Sequence, residues 1–265
     1  MTPVRLKCVL LILISVLAWI GPRPAMAIGL TLPSIDDLIS PSLQKSAIRT
    51  AGVLAAHRPY QPATPLGTAL GLESMLEVTL VQMPESLFDE LAAAGLGANF
   101  AIRTLPVAKL HVHKGINPRM DLGASYFKLL KYSIYGADLK WAFWVPEEGP
   151  TWALRLCYSQ SNLDYLRTKA WSPQLIVSRK LSFAEAYLGA EYTWITGRIV
   201  GSQTQTISGV PVTIAIDIRD IPTTSASTFL GLGLRIPGVG FKVALEGAYS
   251  FVKSHSLGLQ LGTSW

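Results

Sequence analysis

The fold is decided by the last ten residues of the chain, SLGLQLGTSW (256–265). Large apolar side chains alternate there with glycine or polar residues. Successive side chains of a β-strand point to opposite faces, so this period of two predicts a strand with one apolar face. The strand ends on Trp265, an aromatic residue that a soluble protein would leave on a fraying terminus. The medium that the apolar face contacts therefore becomes the central question.

The same alternation recurs from about residue 70 to the end of the chain, in segments separated by turn residues. The ten predicted strands are 76–83, 107–114, 121–128, 135–144, 152–159, 171–180, 184–194, 229–236, 241–251 and 256–265. The connections that follow even-numbered strands are short, whereas 84–104 and 197–222 are long loops that follow odd-numbered strands. The two ends of the predicted sheet therefore differ.

Ionisable residues lie opposite an apolar stripe in these strands. In 135–144, for example, Asp138 and Lys140 alternate with Leu139 and Trp141. A soluble β-sandwich or a lipocalin-like barrel also has one wet face, so alternation alone leaves that alternative open. Aromatic residues at the strand ends and a charged fraction of only 15% favour a membrane. We therefore predict an all-β fold, an antiparallel up-and-down transmembrane β-barrel of about ten strands.

The N-terminus has the layout of a secretory signal peptide. Basic residues precede 13 apolar residues, and small residues end at Ala27, where cleavage is predicted. Cleavage would leave 20 basic and 17 acidic residues, so the net charge falls from +6 to +3 and does not indicate nucleic-acid binding. Cys157 would then be the only cysteine, which excludes an internal disulfide. The predicted location is the outer membrane of a Gram-negative bacterium.

Residues 28–69 are predicted to form a periplasmic helix and linker. Apolar residues recur there at helical spacing, Pro41 interrupts them, and the prolines at 59 and 62 end any helix. This segment would either plug the barrel or rest against its mouth, or form a partly disordered lead-in. Residues 85–97 predict a short helix that ends at Gly95. The alternating segment 210–218 would either extend the barrel strands or add a hairpin, which would make twelve strands.

Candidate lumen residues follow from strand parity. They are Lys109, His111, His113, Asp121, Asp138, Lys140, Arg155, Glu191, Lys242 and Glu246. His111 and His113 share one face, and a metal site would need a further ligand, for which Asp121 on the next strand is the obvious candidate. Solvated lining is the more common role of such a pair, so neither a metal nor a cofactor is predicted.

Three functions remain open. The first is a non-enzymatic barrel that passes or binds small solutes or hydrophobic ligands through a narrow bore. The second is a structural or surface-interaction barrel whose own charges plug the lumen. The third is a hydrolase at the outer rim that acts on lipid A or peptides and uses His255, Asp217 and Asp220. Because no paired-carboxylate or Ser/His spacing supports the third, no catalytic residue and no enzyme activity is predicted.

The expected partners are outer-membrane lipid, lipopolysaccharide and the barrel-assembly machinery, with no nucleic acid and a monomeric state. The predicted assembly signal is the alternating set Leu257, Leu259, Leu261, Thr263 and Trp265. The stretches HRPYQPATPLG (57–67) and LPVAKLHVHKGINPRMDLGASY (105–126) resemble an uncharacterised family of proteobacterial outer-membrane β-barrel proteins. The resemblance covers residues 57–195 and 224–265. It implies a barrel but no activity, because that family has none assigned.

Overall fold

The computed structural model describes residues 40–68, 71–93, 103–207, 210–236 and 240–265, without the side chains of 202–216 and 219. The predicted signal peptide lies outside the described residues. Ten antiparallel strands form a closed barrel, in which each strand pairs with its sequence neighbours and β1 pairs with β10. The strands are β1 Leu72–Gln82, β2 Thr104–Asn117, β3 Met120–Leu129, β4 Tyr132–Trp144, β5 Thr151–Leu163, β6 Leu166–Leu181, β7 Ala184–Ile207, β8 Val210–Ile236, β9 Phe241–Ser250 and β10 Ser254–Ser264. The helices are α1 Pro41–Ala55 and α2 Glu85–Ala93.

The prediction of ten strands is confirmed, and the alternative of twelve is wrong. The predicted loop 197–222 is also corrected, because β7 and β8 continue through it as one long hairpin. Ile199 pairs with Ile218, and the ladder runs on to Ile207 and Val210. The physical reason is that the alternating segment 210–218 satisfies its backbone donors and acceptors against 199–207. The predicted helix at 85–97 is found over 85–93, and its last residues lie outside the description.

The outer surface of the barrel is apolar. Exposed leucines occur on all ten strands, and Leu122, Leu188 and Leu257 are each about half exposed. Aromatic residues form two bands on this surface. One contains Trp141, Trp144, Trp152 and Trp265, and the other contains Tyr126, Tyr135, Trp171, Trp194 and Tyr249. An apolar exterior between aromatic bands and around a charged interior is typical of a transmembrane barrel, so the protein is an outer-membrane β-barrel.

The two ends of the barrel differ, as the sequence indicated. At the turn end, β1 begins at Leu72, β10 ends at Ser264, and the connections 118–119, 145–150 and 182–183 are short. The opposite loop end carries α2 and the β7–β8 extension. Short turns of such barrels are periplasmic and longer loops are extracellular, which places the loop end outside the cell. Neither helix of the described residues has the length and apolar character needed to cross a membrane.

Helix α1 begins at Pro41, and the side chain of Ser40 caps it by accepting a hydrogen bond from the Leu43 N–H at 3.2 Å. Proline is favoured at the first position of a helix, so Pro41 starts this helix where an interruption was expected. Ile48 on α1 is fully buried against the inner wall, with Ile195 and Ile221. The helix therefore lies inside the loop end of the barrel.

Candidate functional site

The lumen contains the N-terminal segment of the chain itself. Residues 40–68, called the plug from here on, consist of α1 followed by an extended stretch from Ala56. This stretch runs from the loop end, where Ala55 packs on Val107 and Ile134, towards the turn end, where Leu66 meets Asp121. The structure therefore supports the plug among the alternatives for this segment. Residues 40–68 lie inside the barrel and not in the periplasm below it, because buried polar groups of the wall bind them.

Hydrogen bonds join the plug to nine of the ten strands among the described residues. The wall partners are Glu73, Thr79, Lys109, Asp121, Ser125, Asp138, Lys140, Arg155, Ser178, Glu185, Glu191, Thr223, Ser227 and Ser256. Peptide groups that leave water need such partners, since an unmade hydrogen bond in a buried place costs about 1–3 kcal/mol. The inward-facing polar residues of the wall thus supply hydrogen-bond partners for the backbone and side chains of the plug.

Arg58 forms an ion pair between the plug and the wall. One of its guanidinium nitrogens donates to Glu191 Oε1 on β7 at 2.8 Å, and the other donates to Ser256 Oγ on β10 at 2.7 Å. Gln174 Nε2 donates to the second oxygen of Glu191 at 2.9 Å. Both charged side chains are almost fully buried. A single plug residue therefore links β7 to β10, two strands that do not pair with each other in the barrel.

Two further charge clusters hold the plug nearer to the turn end. Gln61 Nε2 donates to Glu73 at 2.8 Å, and Lys242 Nζ binds the same carboxylate at 2.8 Å. Lys140 Nζ pairs with Asp121 at 2.8 Å and also donates to the carbonyl oxygens of Pro62 and Thr64. Charges in such a low-dielectric place need partners, and here each cation has a carboxylate or carbonyl oxygen.

Three histidines meet in the middle of the lumen. His57 comes from the plug, and His111 and His113 come from β2; all three are buried. One ring nitrogen from each lies within 4.8 Å of one from each of the others. The Nε2 atoms of His57 and His113 lie 2.6 Å and 3.2 Å from the same oxygen of Asp138, while His111 Nε2 is bonded to Glu77. The Nδ1 atoms of His111 and His113 are buried without a hydrogen-bond partner.

Glycines of the wall make room for the plug. A Cβ atom on Gly136 would overlap the ring of His57, and one on Gly123 would overlap His113 and Asp138. On β10, a Cβ on Gly258 would overlap the hydroxyl of Tyr60, which hydrogen-bonds Thr79. The missing side chains therefore match the shape of the plug, so wall and plug fit as parts of one fold.

All ten lumen residues predicted from parity are buried inside the barrel. Asp121, the predicted companion of the histidine pair, does not join it, because it binds Lys140 and the Leu66 N–H. The sequence reasoning missed the plug residues His57 and Arg58. It also missed Glu73 and Glu77, although the alternation in LESMLEVTL could have placed both on the inner face.

The residues suggested for a rim hydrolase are separated. His255 is level with Tyr249, which is level with Thr228 on β8. Asp217 lies 11 residues further along β8, or about 36 Å of strand, and pairs with Arg198 at 2.6 Å. These groups therefore do not form one site.

One hydrogen-bonded chain does resemble a serine-nucleophile triad: Ser125 Oγ lies 2.7 Å from His57 Nδ1, and His57 Nε2 binds Asp138. Ser125 is only 6% exposed, however, and the plug that supplies the histidine also covers the serine. Release of the plug would admit a substrate but would remove the base, so the arrangement cannot act as a triad in either state.

A cavity of about 350 Å³ opens at the turn end. Its walls include Lys180, Glu185, Arg235 and Lys242, and Pro62 of the plug forms part of the lining. The opening thus ends against the plug.

The residues of the predicted assembly signal lie on the outer face of β10, with Trp265 directly after its end. Leu257, Leu259 and Trp265 are exposed, and Leu261 and Thr263 are half-buried. The Trp265 N–H donates to the Leu72 carbonyl at 2.9 Å, and the Leu72 N–H donates to Trp265 at 3.0 Å. The terminal residue therefore completes the closure of the barrel.

No family model and no curated protein matches the chain. Solved structures that resemble it include Neisserial surface protein A, with 6% identity, a TM-score of 0.30 and coverage of 73% of this chain and 97% of the other. The KdgM porin is similar at 6% identity and a TM-score of 0.39, over 72% and 99% of the two chains. Outer membrane phospholipase A from Escherichia coli is similar at 11% identity and a TM-score of 0.32, over 83% and 98%. At these low scores the assignment to the outer membrane rests on the apolar exterior and charged interior of the barrel itself.

Proposed function

We propose that this protein is a non-enzymatic outer-membrane barrel that is closed by its own N-terminal segment and acts as a structural or surface-interaction protein. The observation that carries the proposal is the set of plug contacts to nine strands, because a segment bound around the whole wall leaves no open bore. An open pore for small solutes, the first function that the sequence suggested, is therefore less well supported. The β7–β8 extension at the loop end is the part of the described chain that is best placed to meet a partner.

The buried charges support a closed resting state. An open pore lined by Glu73, Asp138 and Glu191 would keep these groups hydrated, whereas here they are paired with side chains on the plug or the wall. Release of the plug would break the His57–Asp138 and Arg58–Glu191 pairs together with the hydrogen bonds from the plug to the other strands, so spontaneous release would be rare.

Conductance in planar bilayers tests the proposal. The folded wild-type protein is expected to give no steady channel, whereas a variant without residues 40–66 is expected to conduct. A matched control replaces residues 201–216 at the tip of the β7–β8 hairpin with an Asn-Gly turn and should stay silent. Heat-modifiable migration on a gel verifies that each variant is a folded barrel. A steady ohmic conductance of the wild-type protein would refute the closed lumen.

Outer-membrane lipid and lipopolysaccharide are proposed as the surroundings of the apolar belt, and the barrel-assembly machinery as the partner that reads the outer face of β10. We also propose a monomer, and membership of the uncharacterised family that residues 57–67 and 105–126 resemble.

A further inference from the structure

We propose that His57, His111 and His113 form a binding site for a divalent transition-metal ion of the zinc class, which links the plug to the barrel wall. The chain contains four histidines, and three of them meet at this point, although His57 is far from the other two in sequence. The proposal rests on the position of the plug, not on whether the lumen excludes solutes.

The hydrogen bonds of the histidines have the pattern of metal ligands. A histidine that binds a metal through one nitrogen usually gives its other nitrogen to a carboxylate, which fixes the ring and its tautomer. His111 and His113 each place Nε2 against a carboxylate, Glu77 and Asp138 respectively, and leave Nδ1 buried and unpartnered. The rings of His111 and His113 are therefore oriented by carboxylates, and their Nδ1 atoms can bind a metal without the loss of another hydrogen bond.

The third histidine can join them with a small change. His57 binds Asp138 through Nε2 and holds Ser125 Oγ through Nδ1 at 2.7 Å. A neutral serine hydroxyl is easily exchanged, because it can rotate towards another acceptor. Asp138 accepts from Nε2 of two of the rings, so its carboxylate is placed to orient these two ligands.

The distances fit an ion after modest rotation of the rings. Neighbouring ligand nitrogens of a tetrahedral zinc site are about 3.3 Å apart, since the bonds are about 2.0–2.1 Å long. Three nitrogens up to 4.8 Å apart must each move inward by about 0.8 Å to reach that geometry. The rings are stacked close to parallel, at 25° for His57 with His111 and 15° for His111 with His113, so they must also turn about the terminal side-chain torsion for their nitrogen lone pairs to converge on one ion. The minima of that torsion are broad.

The local charges also bear on the affinity. Glu77 and Asp138 supply two negative charges, and Lys109 and Arg155 each have a nitrogen 3.6 Å from one of these carboxylates. Imidazole ligands select Zn²⁺, Ni²⁺ or Cu²⁺, whereas Mg²⁺ prefers oxygen ligands. We therefore expect Zn²⁺ to bind and Mg²⁺ not to bind.

The test loads the folded full-length barrel in detergent with ZnCl₂, removes free metal by gel filtration and measures zinc per chain. One ion per chain is expected for the wild type. His111→Ala and His113→Ala should weaken binding by at least roughly tenfold. His255→Ala is the matched control, because it removes the fourth histidine, which lies outside the cluster, and it should bind as the wild type does.

A second measurement uses the wild type alone, so it tests the proposal even if the histidine variants fail to fold. Co²⁺ bound to the wild type should give the intense visible absorption of a tetrahedral site, and Zn²⁺ should abolish it. No retained zinc and no such spectrum would overturn the proposal, as would equal binding by the wild type and folded His113→Ala. These outcomes are independent of bilayer conductance: a conducting wild type that binds zinc would refute the closed lumen and keep the metal site.

Discussion

Replacement of Arg58 by alanine tests how strongly the plug is held. In the folded protein this guanidinium binds Glu191 at 2.8 Å, Ser256 at 2.7 Å and Ser227 at 3.4 Å. The substitution removes all of these contacts and leaves the carboxylate of Glu191 buried without its cation. It leaves the lipid-facing surface unchanged, so any effect reports on the lumen.

The expected loss follows from these contacts. Removing one partner of a buried ion pair costs about 3–5 kcal/mol, because the remaining charge is uncompensated. Glu191 keeps hydrogen bonds from Gln174 and Ser227, which places the loss near the lower limit. A loss of about 3 kcal/mol corresponds to roughly a hundredfold change in the equilibrium between folded and unfolded protein.

The assay is unfolding by urea in phospholipid vesicles, followed by tryptophan fluorescence and heat-modifiable migration. Arg198→Ala is the matched control, because it also removes an arginine that is paired with a carboxylate, Asp217, but on an exposed surface. Such surface pairs contribute about 0.2–1 kcal/mol. If Arg58→Ala and Arg198→Ala destabilise the protein equally, the plug does not occupy the lumen as described.

Two further substitutions test the fit of the plug and the outer surface. Gly136→Ala should destabilise the barrel by about 1–3 kcal/mol in urea unfolding, because the new Cβ overlaps the ring of His57. Gly247→Ala is its control and should change stability by less than about 1 kcal/mol, because no atom lies within 4 Å of the new Cβ. Leu259→Arg should lower the free energy of unfolding by about 2–4 kcal/mol in the same assay, because it places a charge in the middle of the lipid-facing surface. Leu130→Arg is its control and should lower that free energy by about 1 kcal/mol or less, because Leu130 lies in an exposed turn. Equal effects within either pair would contradict the corresponding contact.

Most of the barrel could be predicted from the sequence, because apolar and polar residues alternate within each strand and so distinguish its two faces. Asp138 and Lys140 alternate with Leu139 and Trp141, and this local pattern alone assigns the inner and outer sides. The β7–β8 extension was harder to assign, since the alternation in 210–218 fits a longer strand and a separate hairpin equally well. Only the partner 199–207 decides between them.

The plug could be suggested but not placed. The stretch that contains His57 and Arg58 has no period, and its prolines merely exclude a helix. Its position depends on contacts between residues distant in sequence: His57 meets Asp138 across 81 residues, and Arg58 meets Ser256 across 198. For the same reason Asp121 was the natural third companion of His111 and His113, although Lys140 and the plug backbone bind it.

The most direct test of the closed lumen is a disulfide between the plug and the wall. The Ala63 N–H donates to Ser178 Oγ on β6 at 3.1 Å, so the two residues are adjacent. With Cys157 replaced by serine, the pair Ala63→Cys and Ser178→Cys should cross-link on mild oxidation of the folded barrel in membranes. The control pair Ala63→Cys and Arg179→Cys should not, because Arg179 is exposed on the outer face. A folded barrel in which neither pair cross-links, or both do so equally, would contradict a plug inside the lumen.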